Sequence, residues 1–422
     1  MSPEQLDLPD AATRDDVALA ARTWIDANVP PDWLECARSS DLARLHEVRT
    51  PEAYRSWYPA LGRTGMTAPT WPVEYGGLGL SPSLAGAIIE ELRAARLTLL
   101  NPAGLTLVGA AILNWGTEEQ KRRYLPRIVT NEDRWCQLFS EPSAGSDLAG
   151  LATRAEEADG AWSITGQKVW SSFAHEADLG LLIARTDPDL PKHQGITAFV
   201  LEMQAPGVTV RPLRKMSGDR EFNEVFMDGA RVRDDARIGP VGSGWRVAQS
   251  ALMSERDMLA GTGSAVRERT SGRSVDRAVE LALALRSDGT RPIDDPATRQ
   301  RLAALWAESR IVLWGNQLAR DVRAAGLGTG PEGSLRKLMH SEHNQRLQRF
   351  GAELLGSRAV GFADDDIEGD AAVFGFLRSR GDTIAGGSSE IQRNIIGERV
   401  LGLPKDPSDD KSIPWRDIPR GA

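Results

Sequence analysis

The sequence predicts a mainly helical protein with a small β domain set in its middle, in the order α, β, α. Three observations carry this. Helical patterning fills both ends of the chain, short alternating runs with Asp-Gly turn signals are confined to the middle, and no internal repeat interrupts the order. A length of 422 residues allows two or three domains with ample core. The expected divisions are a helical domain over 1–131, a β domain over 132–239, a second helical domain over 240–405 and a Pro-containing tail over 406–422.

In the first block, "LVGAAILNWG" lacks strand alternation, and "TEEQKRRYLPRIV" opens on a Thr that can cap a helix. Between Asp15 and Ile128 lies "TAPTWPVEYGGLGLSPS", whose Pro and Gly predict an ordered loop or a series of turns. In the middle block, "ATRAEEADGAWSITGQKVW" places Asp159-Gly160 between two alternating runs, a hairpin signal. "LGLLIARTD", "GITAFVLEM", "GVTVRPL" and "NEVFMDGARV" follow as strands, the last with a second Asp-Gly turn. The third block returns to helical patterns, from "GWRVAQSALMSERDMLAGTGSAVRE" to the closing "GGSSEIQRNIIGERVLGLP". The tail "DPSDDKSIPWRDIPRGA" has three prolines and no periodicity, so it is expected to be poorly ordered or to drape over a partner.

Composition excludes several classes. Hydrophobic residues at 41% and charged residues at 26% are those of an ordinary soluble protein. A net charge of -8 without a basic block argues against nucleic acid and against an anionic membrane surface as partners. No apolar run is long enough to span a bilayer. The acidic, polar start "MSPEQLDLPDAATRDD" reads neither as a signal nor as a transit peptide. Two distant thiols, Cys36 and Cys136, fit a reducing compartment, so the expected location is cytoplasmic. Twelve tryptophans against four tyrosines suit core packing, or planar surfaces for a planar ligand.

Four stretches can carry chemistry, each with a plainer reading beside it. In "DTIAGGSSEIQRNIIGERVLGLPK", Gly386 and Gly387 allow close approach to the backbone, and Ser388 or Ser389 can cap the following helix, whose free N–H groups suit an acceptor-rich ligand. A Gly turn and a Ser cap are the plainer reading, which spacing alone favours. "CQLFSEPSAGSDLAG" crowds Ser140, Ser143, Ala144, Gly145 and Ser146 into one connection, which suits a flat polar ligand or a simple interdomain turn. In "GQKVWSSFAHEAD", Trp170 beside Ser171 and Ser172 could cover a conjugated ring or could fill a core. In "GWRVAQSALMSERDMLAG", Trp245, Ala248, Leu252 and Leu259 fall on one helical stripe, and Glu255 lies on it. A carboxylate there is costly unless paired or functional, and desolvation moves its pKa toward that of a general base. An ion pair with Arg256 or another neighbour is the alternative.

Other chemistries fit poorly. "GPVGSGW" is Gly-rich but follows an Asp/Arg-rich turn, which makes a weak dinucleotide fingerprint. No Walker sequence or nucleophile elbow is present. His340 and His343 in "HSEH", without further ligands, read as surface residues, and no metal is expected.

Taken together, "WPVEYGG", "GTEEQKRRYLP", "FSEPSAGSDLAG", "GQKVWSS" and "GGSSEIQRNIIGERVLGLP" resemble the acyl-CoA dehydrogenase family in order and spacing, from about Asp15 to Lys405. The resemblance implies FAD, a fold of N-terminal helical bundle, β-barrel or sandwich and C-terminal four-helix bundle, and a homodimer or homotetramer. It also implies α,β-dehydrogenation of an acyl-CoA thioester, or an acyl group on a carrier. The α-proton goes to a glutamate while hydride leaves Cβ for flavin N5, with an electron-transfer flavoprotein as acceptor.

Carried over by position, Phe139, Ser140, Gly145 and Ser146 match the loop meeting the flavin pyrimidine, with Ser146 near the thioester. Trp170 and Ser172 match residues on the flavin's other side. Gly387, Ser388 and Glu390 stand where the last helix touches FAD, and Arg286 matches an arginine reaching the pyrophosphate of a neighbouring subunit's FAD. Gly289, Glu353 and Ser357 depart from the family's aromatic, glutamine and glycine at the adenosine end. Many members carry the base where this chain has Gly386, which cannot take a proton but whose N–H can polarise the thioester carbonyl. Members resembling isovaleryl- and long-chain-type dehydrogenases carry it on the helix after the β domain beside an arginine, where this chain has Glu255-Arg256. The family pattern and the stripe thus select Glu255 as base by separate routes, with Arg256 as electrostatic support. The alternatives are a flavin oxidase or monooxygenase on the same fold, which would need no base at Glu255, and one subunit of a hetero-oligomeric dehydrogenase, which Gly289 and Glu353 favour.

Overall fold

The structure is a computed structural model describing residues 5–257, 275–286, 288–324, 330, 333–361, 367–405, 407 and 412–419; the side chains of 253–257, 320, 323–324 and 367–370 lie outside the described set. The chain forms two compact units. The first comprises Met1–Leu213, Arg220–Ser254 and Pro407–Ala422, and the second comprises Arg214–Asp219 and Glu255–Asp406.

The first unit begins with helices α1 (Arg14–Asn28), α2 (Pro31–Ser39), α3 (Leu42–Val48), α4 (Pro51–Arg63), α5 (Pro82–Ala94), α6 (Gly109–Trp115) and α7 (Glu118–Val129). Thr117 caps α7 as its sequence predicts: its side chain accepts from the Gln120 N–H, and the Gln120 side chain accepts from the Thr117 N–H. The Pro/Gly stretch before α5 is an ordered set of turns, with Gly77 N–H donating to Pro72 O and Gly79 N–H to Trp71 O. A Cβ at Gly77 would fall 2.1 Å from Trp71 O, so only glycine lets these turns close.

Eight strands follow: β1 (Trp135–Leu138), β2 (Arg154–Ala158), β3 (Ala161–Ser172), β4 (Leu179–Arg185), β5 (Ile196–Glu202), β6 (Val208–Leu213), β7 (Phe222–Arg233) and β8 (Arg237–Ile238). They make one sheet in the order β6-β7-β3-β2-β4-β5-β8, with β1 parallel to β4. The predicted hairpin joins β2 to β3, with Ala158 paired to Ala161; Asp159 and Gly160 both have positive φ, as a type I′ turn requires. The second Asp-Gly is not a turn. Asp228-Gly229 lies inside a continuous β7, at a register shift against β3, and Gly229 supplies the left-handed residue of a bulge. A glycine after an aspartate serves both devices, so the local sequence does not separate them.

Strands β4 and β5 are apolar on both faces because both faces are covered. Leu181, Ile183, Ile196, Ala198 and Val200 join a core with Val108, Ile112 and Leu125 of the helical segment, while Leu182, Ala184, Phe199 and Leu201 join a second core with Trp162 and Val225. Helix α8 (Gly244–Asp257) starts on the helical side: Val247, Ala248 and Ala251 are fully buried there, with Trp245 and Leu252 packed beside them. Of the predicted stripe, Ala248 is fully buried and Trp245 and Leu252 pack beside it, while Leu259 and the Glu255 side chain lie outside the described residues; Val247 and Ala251, which the stripe did not include, complete the buried face.

The second unit holds α9 (Val275–Leu283), α10 (Pro296–Ala324), α11 (Gly333–Leu355), α12 (Ile367–Ser379) and α13 (Ser389–Ile395). Helix α11 touches each of the other four. Its apolar contacts, Leu347, Phe350 and Leu354, meet Val275, Ala278, Leu302 and Leu305. Another face buries polar groups, with Ser334, Lys337, Ser341, Asn344 and Gln348 at alternating steps of three and four. His343, expected at the surface, is buried, with Nδ1 2.9 Å from Glu308 Oε2. Burial follows from its place on the most enclosed helix of the unit.

The tail also departs from expectation. Residues 412–419 lie on the chain's own first unit: Trp415 N–H donates to Leu190 O, Arg416 N–H to Pro188 O, and Pro414 bridges Pro191. Among the described residues no helix is long and apolar enough to cross a membrane.

Candidate functional site

The site residues fall into two groups, one in each unit. In the first unit the loop Phe139–Gly150 leaves β1 and is shaped by a tight turn in which Glu141 and Ala144 exchange both backbone hydrogen bonds. Phe139 is buried, and Ser140 O accepts from the Val169 N–H of β3. Gly145 and Ser146 are exposed, and no described atom lies within 4 Å of a Cβ built on Gly145, so that backbone is open to approach.

The loop is anchored by a pair that sequence reasoning missed. Lys168 is fully buried, and its Nζ donates to Glu141 Oε1 at 2.7 Å and to Phe139 O at 3.0 Å. The Glu141 carboxylate also accepts from the N–H groups of Ala152 and Thr153 at 2.7 and 2.9 Å. Burial pushes the Glu141 carboxyl up, but the Lys168 charge and these hydrogen bonds outweigh it and hold it below its ordinary value. Burial pulls the Lys168 ammonium down, and Glu141 offsets only part of that. The donors converging on the Glu141 carboxylate favour its ionised form. Both residues sit inside motifs singled out above. Their only sequence signal is a charge among small or apolar neighbours, which has no period.

Trp170 is not a core tryptophan. It stands in left-handed backbone at a bulge of β3, with 58% of its surface exposed and its ring edge-on to Phe222. Ser172 is half-buried beside it. Of two further neighbours, Ser171 was named beside Trp170 in the sequence and Phe173 was not. Ser171 is buried, and its Oγ has no hydrogen-bond partner among the described residues; Phe173, also left-handed, is exposed. Asn223 fixes this segment by donating to Ser171 O at 2.9 Å. A planar exposed ring beside a loop with an open glycine fits the isoalloxazine that the family resemblance implies.

In the second unit, Gly386 and Gly387 both have positive φ, and Ser388 caps α13 by accepting from the Ile391 N–H. The turn-and-cap reading is therefore correct as structure. Its carbonyls are tied inward: Gly386 O accepts from Gln392 Nε2 at 3.0 Å, and Gly387 O from Lys337 Nζ at 2.7 Å. Lys337, on the buried polar face of α11, also donates to Asp382 O. Lys337 and Gln392 were not predicted, although the three-and-four spacing of polar residues in α11 carries the signal for the former. Glu390 is exposed, and a hydrogen bond from its own amide, then one from Ser388, holds its carboxyl below the ordinary value. A Cβ at Gly387 would fall 2.4 Å from Gln392 Nε2. Gly387→Ala is thus expected to cost about 1–2 kcal/mol in left-handed strain alone, read as a lower midpoint in thermal unfolding.

Arg286, Glu353 and Ser357 are brought together. Arg286 donates to Leu354 O at 2.9 Å, and Ser357 follows in the 3-10 turn Gly356–Ala359. Gly289 has a φ of 79° and closes a turn on Arg286 O, which explains a glycine where an aromatic is expected. Glu353 is held by Arg301 at 2.6 Å and by Arg349 at 2.9 Å. The backbone of α8 runs through Glu255 and Arg256, but their side chains lie outside the described residues.

Three family models match consecutive parts of the chain: the acyl-CoA dehydrogenase N-terminal domain over 13–132, the middle domain over 136–230 and the C-terminal domain over 242–401. The acyl-CoA dehydrogenase IpdE1 of Mycolicibacterium smegmatis is 37% identical over 396 residues, covering 91% of this chain and 96% of that protein. FadE34 of Mycobacterium tuberculosis is 40% identical over 346 residues, covering 82% of this chain, which spans about half (46%) of FadE34. Among solved structures, the ChsE4-ChsE5 complex from Mycobacterium tuberculosis matches with a TM-score of 0.73 at 27% identity, covering 94% of this chain and 100% of that one. The Tcur3481-Tcur3483 steroid ACAD matches at 0.74 and 26%, covering 95% and 100%. With the helical, β and helical parts each matched in order, the chain belongs to the acyl-CoA dehydrogenase family.

Proposed function

We propose that this chain converts an acyl-CoA thioester to its trans-2-enoyl-CoA, with Glu255 removing the α-proton. FAD, when bound, would supply the hydride acceptor for the hydrogen on Cβ. Phe139, Ser140, Gly145 and Ser146 would hold the pyrimidine side of the cofactor, and Trp170 and Ser172 the other side. Gly387, Ser388 and Glu390 would meet it from the start of α13. The Gly386 N–H would polarise the thioester carbonyl, which acidifies the α-carbon. Arg256 would favour the charged form of Glu255. Electrons would pass to an electron-transfer flavoprotein.

One observation supports the base assignment above others. The turn at Gly386 offers no carboxylate, while α8 reaches position 255 four residues beyond the fully buried Ala251 and seven beyond Ala248. For the acyl group we favour a steroid-derived chain, because the matched Tcur3481-Tcur3483 protein is a steroid ACAD. Anaerobic titration of the flavin-loaded protein with a panel of thioesters is expected to bleach the flavin, fastest with a steroid side-chain acyl-CoA. Bleaching confined to short straight chains would remove the steroid assignment.

A second reading, one subunit of a hetero-oligomer, has its own support. Glu353 is taken up by Arg301 and Arg349, and the Gly289 turn leaves no aromatic at the adenosine end. The matched ChsE4-ChsE5 structure is itself a complex of two chains. On this reading the chain purified alone would be colourless and would bind FAD only with its partner, whereas a yellow homo-oligomer would exclude it.

A further inference from the structure

We propose that Trp415 is a positioning residue, and that segment 412–419 clasps the turn at the end of the Phe139–Gly150 loop and holds that loop in its ligand-binding form. The proposal rests on the reading that this loop meets the cofactor.

The argument starts from Arg185. It is buried at the end of β4, where its guanidinium donates to Ala149 O at 2.6 Å, to Leu151 O at 3.3 Å and to Lys192 O at 3.0 Å. One side chain thus gathers the carbonyls on which the loop ends. Trp415 covers it: the guanidinium carbon lies 4.4 Å from the indole centroid, and Trp415 Nε1 donates to Gly150 O at 3.3 Å. The indole is fixed from behind by the backbone bonds of Trp415 and Arg416 to Leu190 and Pro188, and by an ion pair between Arg416 and Asp189. Lys192, buried in the same segment, reaches Asp147 at 3.0 Å, one residue from Ser146. A cation stacked on an aromatic face and shielded from water binds its acceptors more firmly than one open to solvent. Removing the indole would wet Arg185 and loosen the carbonyls of Ala149 to Leu151. Ser146 and Gly145 would then lose their fixed end, while the Glu141–Lys168 anchor would still hold the start of the loop.

The test uses the whole 422-residue chain loaded with FAD. Trp415→Ala is expected to speed amide exchange at Gly150 and Leu151 by about tenfold without changing exchange in α10 or α11. It is also expected to raise the dissociation constant for FAD, followed by flavin fluorescence, by about threefold to tenfold. Trp415→Phe keeps the ring over Arg185 and gives up only the long bond to Gly150, so it should behave nearly as the unmodified chain. Gly145→Val, placed in the loop itself, tests the underlying reading. Unchanged exchange in Trp415→Ala would overturn the clasp. Faster exchange with unaltered FAD binding, while Gly145→Val weakens FAD, would overturn its positioning role. Unaltered FAD binding in Gly145→Val as well would instead fail the cofactor reading of the loop, and the clasp's purpose with it.

Discussion

Glu255→Gln is expected to keep bound flavin and to slow acyl-CoA-dependent flavin reduction by about 10²–10⁴-fold. The amide has nearly the size and hydrogen-bonding reach of the carboxylate but cannot accept the α-proton, so the loss should fall on the reduction step and not on thioester affinity. Stopped-flow bleaching under anaerobic conditions separates the two, and near-normal bleaching would remove Glu255 from the mechanism. A second substitution tests the logic from the other side. Gly386→Glu in the Glu255→Gln background puts a carboxylate where many family members carry it. The recovery should be partial, because Gly386 has a φ of 66°. A side chain there costs about 1–2 kcal/mol, and the turn carbonyl fixed by Gln392 resists adjustment.

How much of this was legible beforehand follows from what kind of interaction each feature uses. The Asp159-Gly160 hairpin and the Thr117 cap depend on neighbours in sequence, and both formed as expected. The inward face of α8 was legible in part for the same reason: Ala248 is fully buried and Trp245 and Leu252 pack beside it, but the burial of Val247 and Ala251 was not read from the stripe. Asp228-Gly229 misled because a turn and a bulge make the same local demand for a left-handed residue. Contacts across long sequence separations left no such trace. Arg185 with Trp415, and Lys168 with Glu141, are single charged residues whose partners lie in other segments. The family resemblance pointed to the Phe139–Gly150 loop but not to what holds it. Lys337 is intermediate, since its helix shows a regular polar face whose burial only the packed unit reveals.

The Lys168–Glu141 pair yields the largest expected stability effect. Replacing Lys168 with Met fills much of the same volume but leaves the Glu141 carboxylate buried against only the amides of Ala152 and Thr153. Breaking a buried pair from one side costs about 3–5 kcal/mol, against a total stability of about 5–15 kcal/mol for a typical domain. The pH dependence identifies the cause. With Lys168 present, Glu141 titrates below its ordinary 4.5, so its contribution is complete above that pH and is lost as pH falls through the lower folded value. Without Lys168, burial dominates and lifts the carboxyl, so folding favours the protonated form and the variant recovers as pH falls from neutral. The difference in urea midpoint between the two proteins should therefore be large at pH 7 and shrink toward pH 5. Adding Glu141→Gln to Lys168→Met should restore part of the loss at pH 7, because no charge is then left buried. If the double variant is no more stable than the single one and the gap does not change with pH, the cost comes from lost packing and hydrogen bonds to Phe139, and the ion pair is not what fixes the loop.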